Sequence, residues 1–213
     1  MTMNLIRTLL LGFGLLLVTL KGYANQAEQA LDSQLKNLRS LQADFVQTIR
    51  AADDRVLQQS SGSMALQRPG KFRWFVKEPN KQLIIANNRK LWIYDEDLAQ
   101  VTIQLVNKTQ NTPAFLLSDD NQRILRKFAV TELKTHRASV KNFLLQPKTK
   151  DNLFSSLQLN FENTNLAQII MTDALGQVTT IKFTSVRADK TLDSKLFEFT
   201  MPAGVEIIDQ TRA

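Results

Sequence analysis

The chain has 213 residues, a formal net charge of +7, a single histidine and no cysteine. That length is enough for one domain with a substantial core. Without cysteine there is no disulfide, thiolate nucleophile, thiolate-bound metal or S-acylation, and one histidine leaves little room for histidine metal sites or histidine bases.

Residues 1–24 read as a secretory signal. Arg7 supplies the positive start, Thr8 to Leu20 is an apolar run, and Lys21-Gly22-Tyr23-Ala24 places small residues before a cut after Ala24. The run falls short of the roughly 20 residues a comfortable membrane span needs, with an uncleaved anchor as the alternative. A lipoprotein signal is excluded because no cysteine stands at the cut. The segment holds two cations, Arg7 and Lys21, and no acid, so residues 25–213 keep +5 of the +7. The expectation is one soluble exported domain over residues 25–213, without stable membrane insertion. In that setting basic charge suits anionic lipid headgroups or acidic proteins better than nucleic acid.

Asn25 to Ser40 is expected as the first helix, with Ala27, Leu31, Leu35 and Leu38 forming one apolar stripe. Ser33-Gln34-Leu35-Lys36 matches the S-x-x-K pattern of serine acyl-enzymes, but the accompanying S-D-N and K-T-G motifs are missing. From Leu41 the period becomes two. Leu41, Ala43, Phe45 and Gln47 share one face, and Asp53-Asp54 marks a turn. Arg55 to Gln67 is a long serine-rich strand, expected at an edge or facing solvent. After the Arg68-Pro69-Gly70 turn, Phe72, Trp74 and Val76 alternate with Arg73, Phe75 and Lys77. An exposed arginine beside ordinary core rings is the commoner arrangement; an apolar concavity with one polar fastening at its edge is the other.

Further strands are expected at Gln82–Ala86, Lys90–Tyr94 and Ala99–Leu105, joined by polar turns as in an antiparallel meander. Asp95-Glu96-Asp97 is read as a solvated turn, since adjacent acids splay apart. The meander breaks at Asn111-Thr112-Pro113-Ala114-Phe115-Leu116-Leu117. There Thr112 suits an N-cap and Pro113 a first helical position. A second short helix, capped by Ser118 or Asp119, runs through Leu125. A short greasy helix inserted between strands has the character of a lid. Strands resume at Lys127–Lys134, Lys141–Gln146, Ser156–Glu162, Leu166–Thr172 and Val178–Ser185, and His136 falls in an exposed cationic turn. Phe197 to Val205 is expected to supply a closing strand and turn.

The fold class expected is therefore mainly β, about eleven antiparallel strands with an N-terminal helix and short lid helices. Gly-rich phosphate loops and a G-x-S-x-G elbow are absent, and the carboxylates are scattered. No cofactor, metal or catalytic group is expected. An apolar sheet interior with surplus rings and a lid describes a carrier of something apolar.

The chain resembles the periplasmic outer-membrane lipoprotein carrier family, LolA. The matching residues are the helix entering Leu41-Gln42-Ala43-Asp44-Phe45-Val46-Gln47, then Arg68-Pro69 with Phe72 and Trp74, Leu91-Trp92-Ile93-Tyr94, Asn111-Thr112-Pro113, and Phe197 to Val205. The resemblance implies an incomplete antiparallel barrel whose hydrophobic cavity is covered by helices. It implies a monomer that takes acylated lipoproteins from an inner-membrane ABC transporter and passes them to an outer-membrane receptor, LolB-like and itself lipidated. By the same resemblance Arg68 locks the lid. Phe72 lies at the mouth, Trp74 on the cavity wall, and Phe45, Leu91 and Ile93 complete the acyl-chain cavity. Pro113, Phe115, Leu116 and Leu117 form the lid, where Ala114 departs from the bulkier residue expected. Two other readings are an envelope lipid- or lipoprotein-sensing module, which carries a second domain, and a lipid-acting hydrolase.

Overall fold

A computed structural model describes residues 26–87, 89–106, 113–149, 154–188 and 190–211. The expected signal and Thr112 lie outside these residues, as do the side chains of Pro113 and Ala114.

The apolar stripe makes α1 over residues 26–36, shorter than the expected run to Ser40. Its last turn tightens, with the amides of Asn37 and Leu38 bonding to Gln34 and Leu35 at 3.2 and 3.0 Å. The chain then extends into β1, Ser40–Arg50. Ala27, Leu31, Leu35 and Leu38 are all buried, as the stripe requires.

The remaining strands are β2 Val56–Gln67, β3 Lys71–Glu78, β4 Gln82–Asn87, β5 Lys90–Asp95, β6 Gln100–Leu105, β7 Phe128–Leu133, β8 Val140–Pro147, β9 Phe154–Glu162, β10 Asn165–Asp173, β11 Val178–Ala188 and β12 Glu206–Asp209. All twelve join one open sheet in the order β12-β6-β5-β4-β3-β2-β1-β11-β10-β9-β8-β7. Between β6 and β7 come α2, Pro113–Leu116, and α3, Asn121–Lys127.

Register lines up the concave face. One row runs Leu41–Leu66–Phe72–Ala86–Leu91, and the next runs Ala43–Met64–Trp74–Ile84–Ile93. The other half contributes Phe143, Leu159, Ile169 and Ile181 in a single row. These side chains and the α1 stripe form one continuous core.

Three expectations are corrected. β2 is central, between β1 and β3, and not an edge. Its first half is exposed and its second buried, because serine and glycine there leave room for neighbouring rings. At Gly62 an added Cβ would stand 1.9 Å from the Phe75 carbonyl oxygen and 2.8 Å from Phe45 Cζ. The closing strand is not within Phe197–Val205. Phe197 instead ends a 3-10 turn, Ser194–Phe197, capped by the Asp193 side chain accepting from the Lys195 amide. The last strand is β12, paired parallel to β6. Finally α3 is capped by Asp120, whose carboxylate accepts from the Gln122 amide at 2.9 Å, and it runs on to Lys127.

The C-terminal segment covers the convex face. The 3-10 turn packs on β3 and β4. Phe199 stacks on Trp92 at 6.1 Å and meets Tyr94 edge-on at 6.3 Å. Ala65, Ile85, Val101 and Phe197 are buried here, apart from the main core.

Candidate functional site

Arg68 opens the β2–β3 turn, and its guanidinium reaches toward the segment between α2 and α3. Nε donates to the Asp119 carbonyl at 2.9 Å, Nη2 donates to the same oxygen, and Nη1 donates to the Leu35 carbonyl at 3.0 Å. Leu35 O lies in the last turn of α1, where it also accepts from the Leu38 amide and the helix dipole favours a cation. One planar fork thus ties α1, the β2–β3 turn and the lid together, which a point-charge ammonium could not do in the same geometry. Burial pulls the pKa of this guanidinium below its ordinary value, while Asp120, Asp119 and Asp32 pull it back. It remains a cation throughout the biological range.

The turn itself adds a fourth tie. Gly70 donates its amide to the Ser118 carbonyl at 2.8 Å and holds φ at 74°, a left-handed value that glycine adopts without strain. Asp119 organises the lid from its other end. Its carboxylate accepts from its neighbour's amide at 3.0 Å and pairs with Lys127 at 3.2 Å and Arg123 at 3.5 Å. Asn121 donates to Asp32 on α1 at 2.9 Å, and Lys36 pairs with the same carboxylate at 2.7 Å. The Lys36 and Asn121 contacts hold Asp32 below the usual carboxylate range, opposed by partial burial. Asn121 and Asp32 were not singled out by the sequence, and Asp119 was marked there only as a candidate helix cap.

Beneath the lid the rings form a ladder. Phe115 meets Phe72 edge-on at 5.5 Å, Phe72 lies 6.2 Å from Trp74, and Trp74 stacks on Phe45 at 3.6 Å. Phe45, Phe72, Trp74, Leu91, Leu116 and Leu117 are buried in one cluster, with Ile93 and Phe115 partly buried against it. Pro113 opens α2. The structure therefore brings Arg68, the five ring and aliphatic positions Phe45, Phe72, Trp74, Leu91 and Ile93, and residues 115–117 together on the concave face. A cavity of about 500 Å³ lies beside the lid, lined by Pro69, Gly70, Phe115, Leu116 and Arg123 among others. Directly beneath α2 the space is taken by the packed side chains of this cluster.

The remaining chemical motifs resolve into ordinary structure. Ser33 Oγ donates to the Gln29 carbonyl at 3.0 Å, and Lys36 is engaged by Asp32. Asp95 accepts from the Leu98 amide at 3.1 Å and Glu96 pairs with Lys81 at 3.4 Å, as a turn would have them. His136 is exposed. Among the described residues no group of histidine and acidic side chains is arranged to hold a metal.

Comparison with known proteins agrees with this geometry. The profile of LolA, outer membrane lipoprotein carrier protein, matches residues 36–200. A protein named outer-membrane lipoprotein carrier protein in Pseudomonas paraeruginosa is 41% identical over 211 residues, covering 98% of this chain and 100% of its own. Among solved structures, an uncharacterised conserved protein from Thermus thermophilus superposes with a TM-score of 0.52 at 14% identity, covering 87% of this chain and 99% of that one. MucB superposes at 0.50 with 12% identity, over 86% of this chain and 66% of its own length, a likeness of fold alone. The chain belongs to the LolA family of outer membrane lipoprotein carrier proteins.

Proposed function

We propose that this protein carries lipoproteins through the periplasm with their acyl chains in the lidded concave face. It takes them from an inner-membrane ABC transporter and hands them to an outer-membrane receptor. The lipoprotein-carrier role itself follows from the family and from relatives of that name, and it is a binding role with no reaction. Cleavage of residues 1–24 and release into the periplasm belong to the proposal. No helix among the described residues is long and apolar enough to cross a membrane.

The observation that carries the reading is the Arg68 fork, closed on two carbonyls above a ladder of rings. Each buried CH₂ is worth about 0.8 kcal/mol, so a multiply acylated protein does not cross water unaided at a useful rate. A carrier must shield that surface and still let it go. Closure of the lid on the emptied interior remakes the Arg68 bonds and the Phe115–Phe72 contact, which offsets part of the cost of release. Arg68 is in this account a latch, and Phe72 the ring uncovered when it opens.

Replacing Arg68 with leucine tests this. Arg68→Leu should still load cargo but pass it to the receptor roughly tenfold more slowly or worse, given charge-assisted bonds lost from the closed state. Arg68→Lys should fall between. Normal transfer by Arg68→Leu in a reconstituted assay would remove the latch from the account. The sensing-module reading is not supported by the 41% identity over the whole chain to a named carrier.

A further inference from the structure

The concave face is not uniformly apolar. Following one row across the sheet, Leu159, Ile169 and Ile181 give way to Gln47 and Ser60. In the next row, Leu157 and Met171 are followed by Thr179, Ile49 and Gln58. These amides and hydroxyls surround a pocket of about 300 Å³, which Trp74, Val76 and Ile84 complete on the side of the ring ladder. Ser60 is only 4% exposed, and its hydroxyl has no hydrogen-bond partner. Among the described residues Gln47, Gln58, Gln82 and Thr179 form no side-chain hydrogen bond either. A buried hydroxyl without a partner costs stability, and such atoms in folded proteins call for an explanation. A pocket that joins an apolar wall to several convergent, unused polar groups is the usual make-up of a ligand site.

We infer that this pocket holds the polar head of the lipid-modified N-terminus, the ester and amide carbonyls next to the acyl chains, while the tails run past Trp74 under the lid. This rests on the carrier reading and sharpens it. Hydroxyls and carboxamide NH₂ groups donate to neutral carbonyls, and the only ionisable side chain lining the pocket is Asp95. Among the described residues no cation lines it to hold a phosphate, and Asp95 disfavours one. The pocket therefore selects a neutral, carbonyl-rich head over an anionic phospholipid bearing the same tails. That discrimination matters to a carrier working beside membranes, where phospholipid far outnumbers cargo.

The test uses three ligands with the purified protein: an N-acetylated S-dipalmitoylglyceryl-cysteine peptide without charged residues, dipalmitoyl phosphatidylglycerol, and hexadecanol as a tail-only reference. Displacement of a bound apolar dye reports affinity. Wild type should prefer the lipopeptide to the phospholipid by roughly tenfold, from two or so neutral hydrogen bonds. Gln47→Leu combined with Ser60→Ala should abolish that preference while leaving hexadecanol binding within about twofold, since the apolar path is untouched. Gln47→Lys should shift preference toward the phospholipid by supplying a cation. Equal binding of the two lipids by wild type, or a preference that survives in the double variant, would overturn the head-group assignment and leave the carrier reading intact. Wild type binding none of the three would overturn both.

Discussion

The two faces of β2–β5 are covered in different ways. On the convex side the C-terminal segment is woven into the sheet, with Glu206 and Gln210 amides bonding to β6 and its flanks at 2.9 Å and Gln104 donating to Gln210 at 2.8 Å. Phe197 is buried and Phe199 stacks on Trp92. On the concave side a short helix rests on the rings, fastened by one guanidinium and one amide to carbonyls. Hydrogen bonds of that kind are exchanged with water at modest net cost, whereas a strand paired in a sheet is not lifted without breaking the ladder. On the proposed reading, one sheet carries a permanent core on its back and an exchangeable one on its front.

Breaking the permanent cover should have the largest effect on stability. Phe197→Ala empties a buried ring site and should cost about 3–5 kcal/mol in denaturant unfolding, with the affinity of whatever remains folded unchanged. Gly62→Ala strikes the strand that both covers share. A Cβ so close to a backbone oxygen forces the β2–β3 pairing apart, for about 3 kcal/mol of destabilisation. By contrast Phe115→Ala, in the exchangeable cover, should cost only about 1 kcal/mol, because the ring is partly buried and meets Phe72 by its edge. The same substitution should speed cargo loading, measured by stopped-flow binding of a fluorescent lipopeptide. If Phe115→Ala proved as destabilising as Phe197→Ala, the two covers would not differ as described.

The smallest effect is on pH. Asp32 has its pKa lowered in the folded state, so its contribution is present above the unfolded carboxylate pKa and is lost as pH falls through the folded one. Acid should therefore loosen the Asp32–Asn121 tie first. Amide exchange in α3 should rise below the ordinary carboxylate range, and Asp32→Asn should flatten that response.

Much of the fold was legible because alternation of period two is dictated by which side of a strand is wet. Phe45, Phe72 and Trp74 declared the inner face, and the Asp53-Asp54 and Asp95-Glu96-Asp97 turns marked the hairpins. The short helix α2 was legible from Pro113 followed by apolar residues with no strand to join. Position in the sheet was less accessible. The serine-rich β2 looked like an edge because small polar residues are common there, yet here they make space for Phe45 and leave Ser60 for the pocket. The parallel β12–β6 pairing joins residues 106 apart in the chain, and no local pattern in Glu206–Asp209 announces it. Arg68 could be marked as a fastening, but its acceptors are main-chain carbonyls, which every residue carries and no sequence distinguishes.

In the proposed cycle cargo and the closed lid exclude each other, and the Gly70 amide reports which of the two is in place. Its bond to the Ser118 carbonyl exists only while the lid is down on the β2–β3 turn. Amide exchange at Gly70 should be protected in the empty protein and lose that protection when the dipalmitoyl lipopeptide is bound. Protection unchanged by saturating lipopeptide would show that the lid stays shut over its cargo, and the latch account would be contradicted.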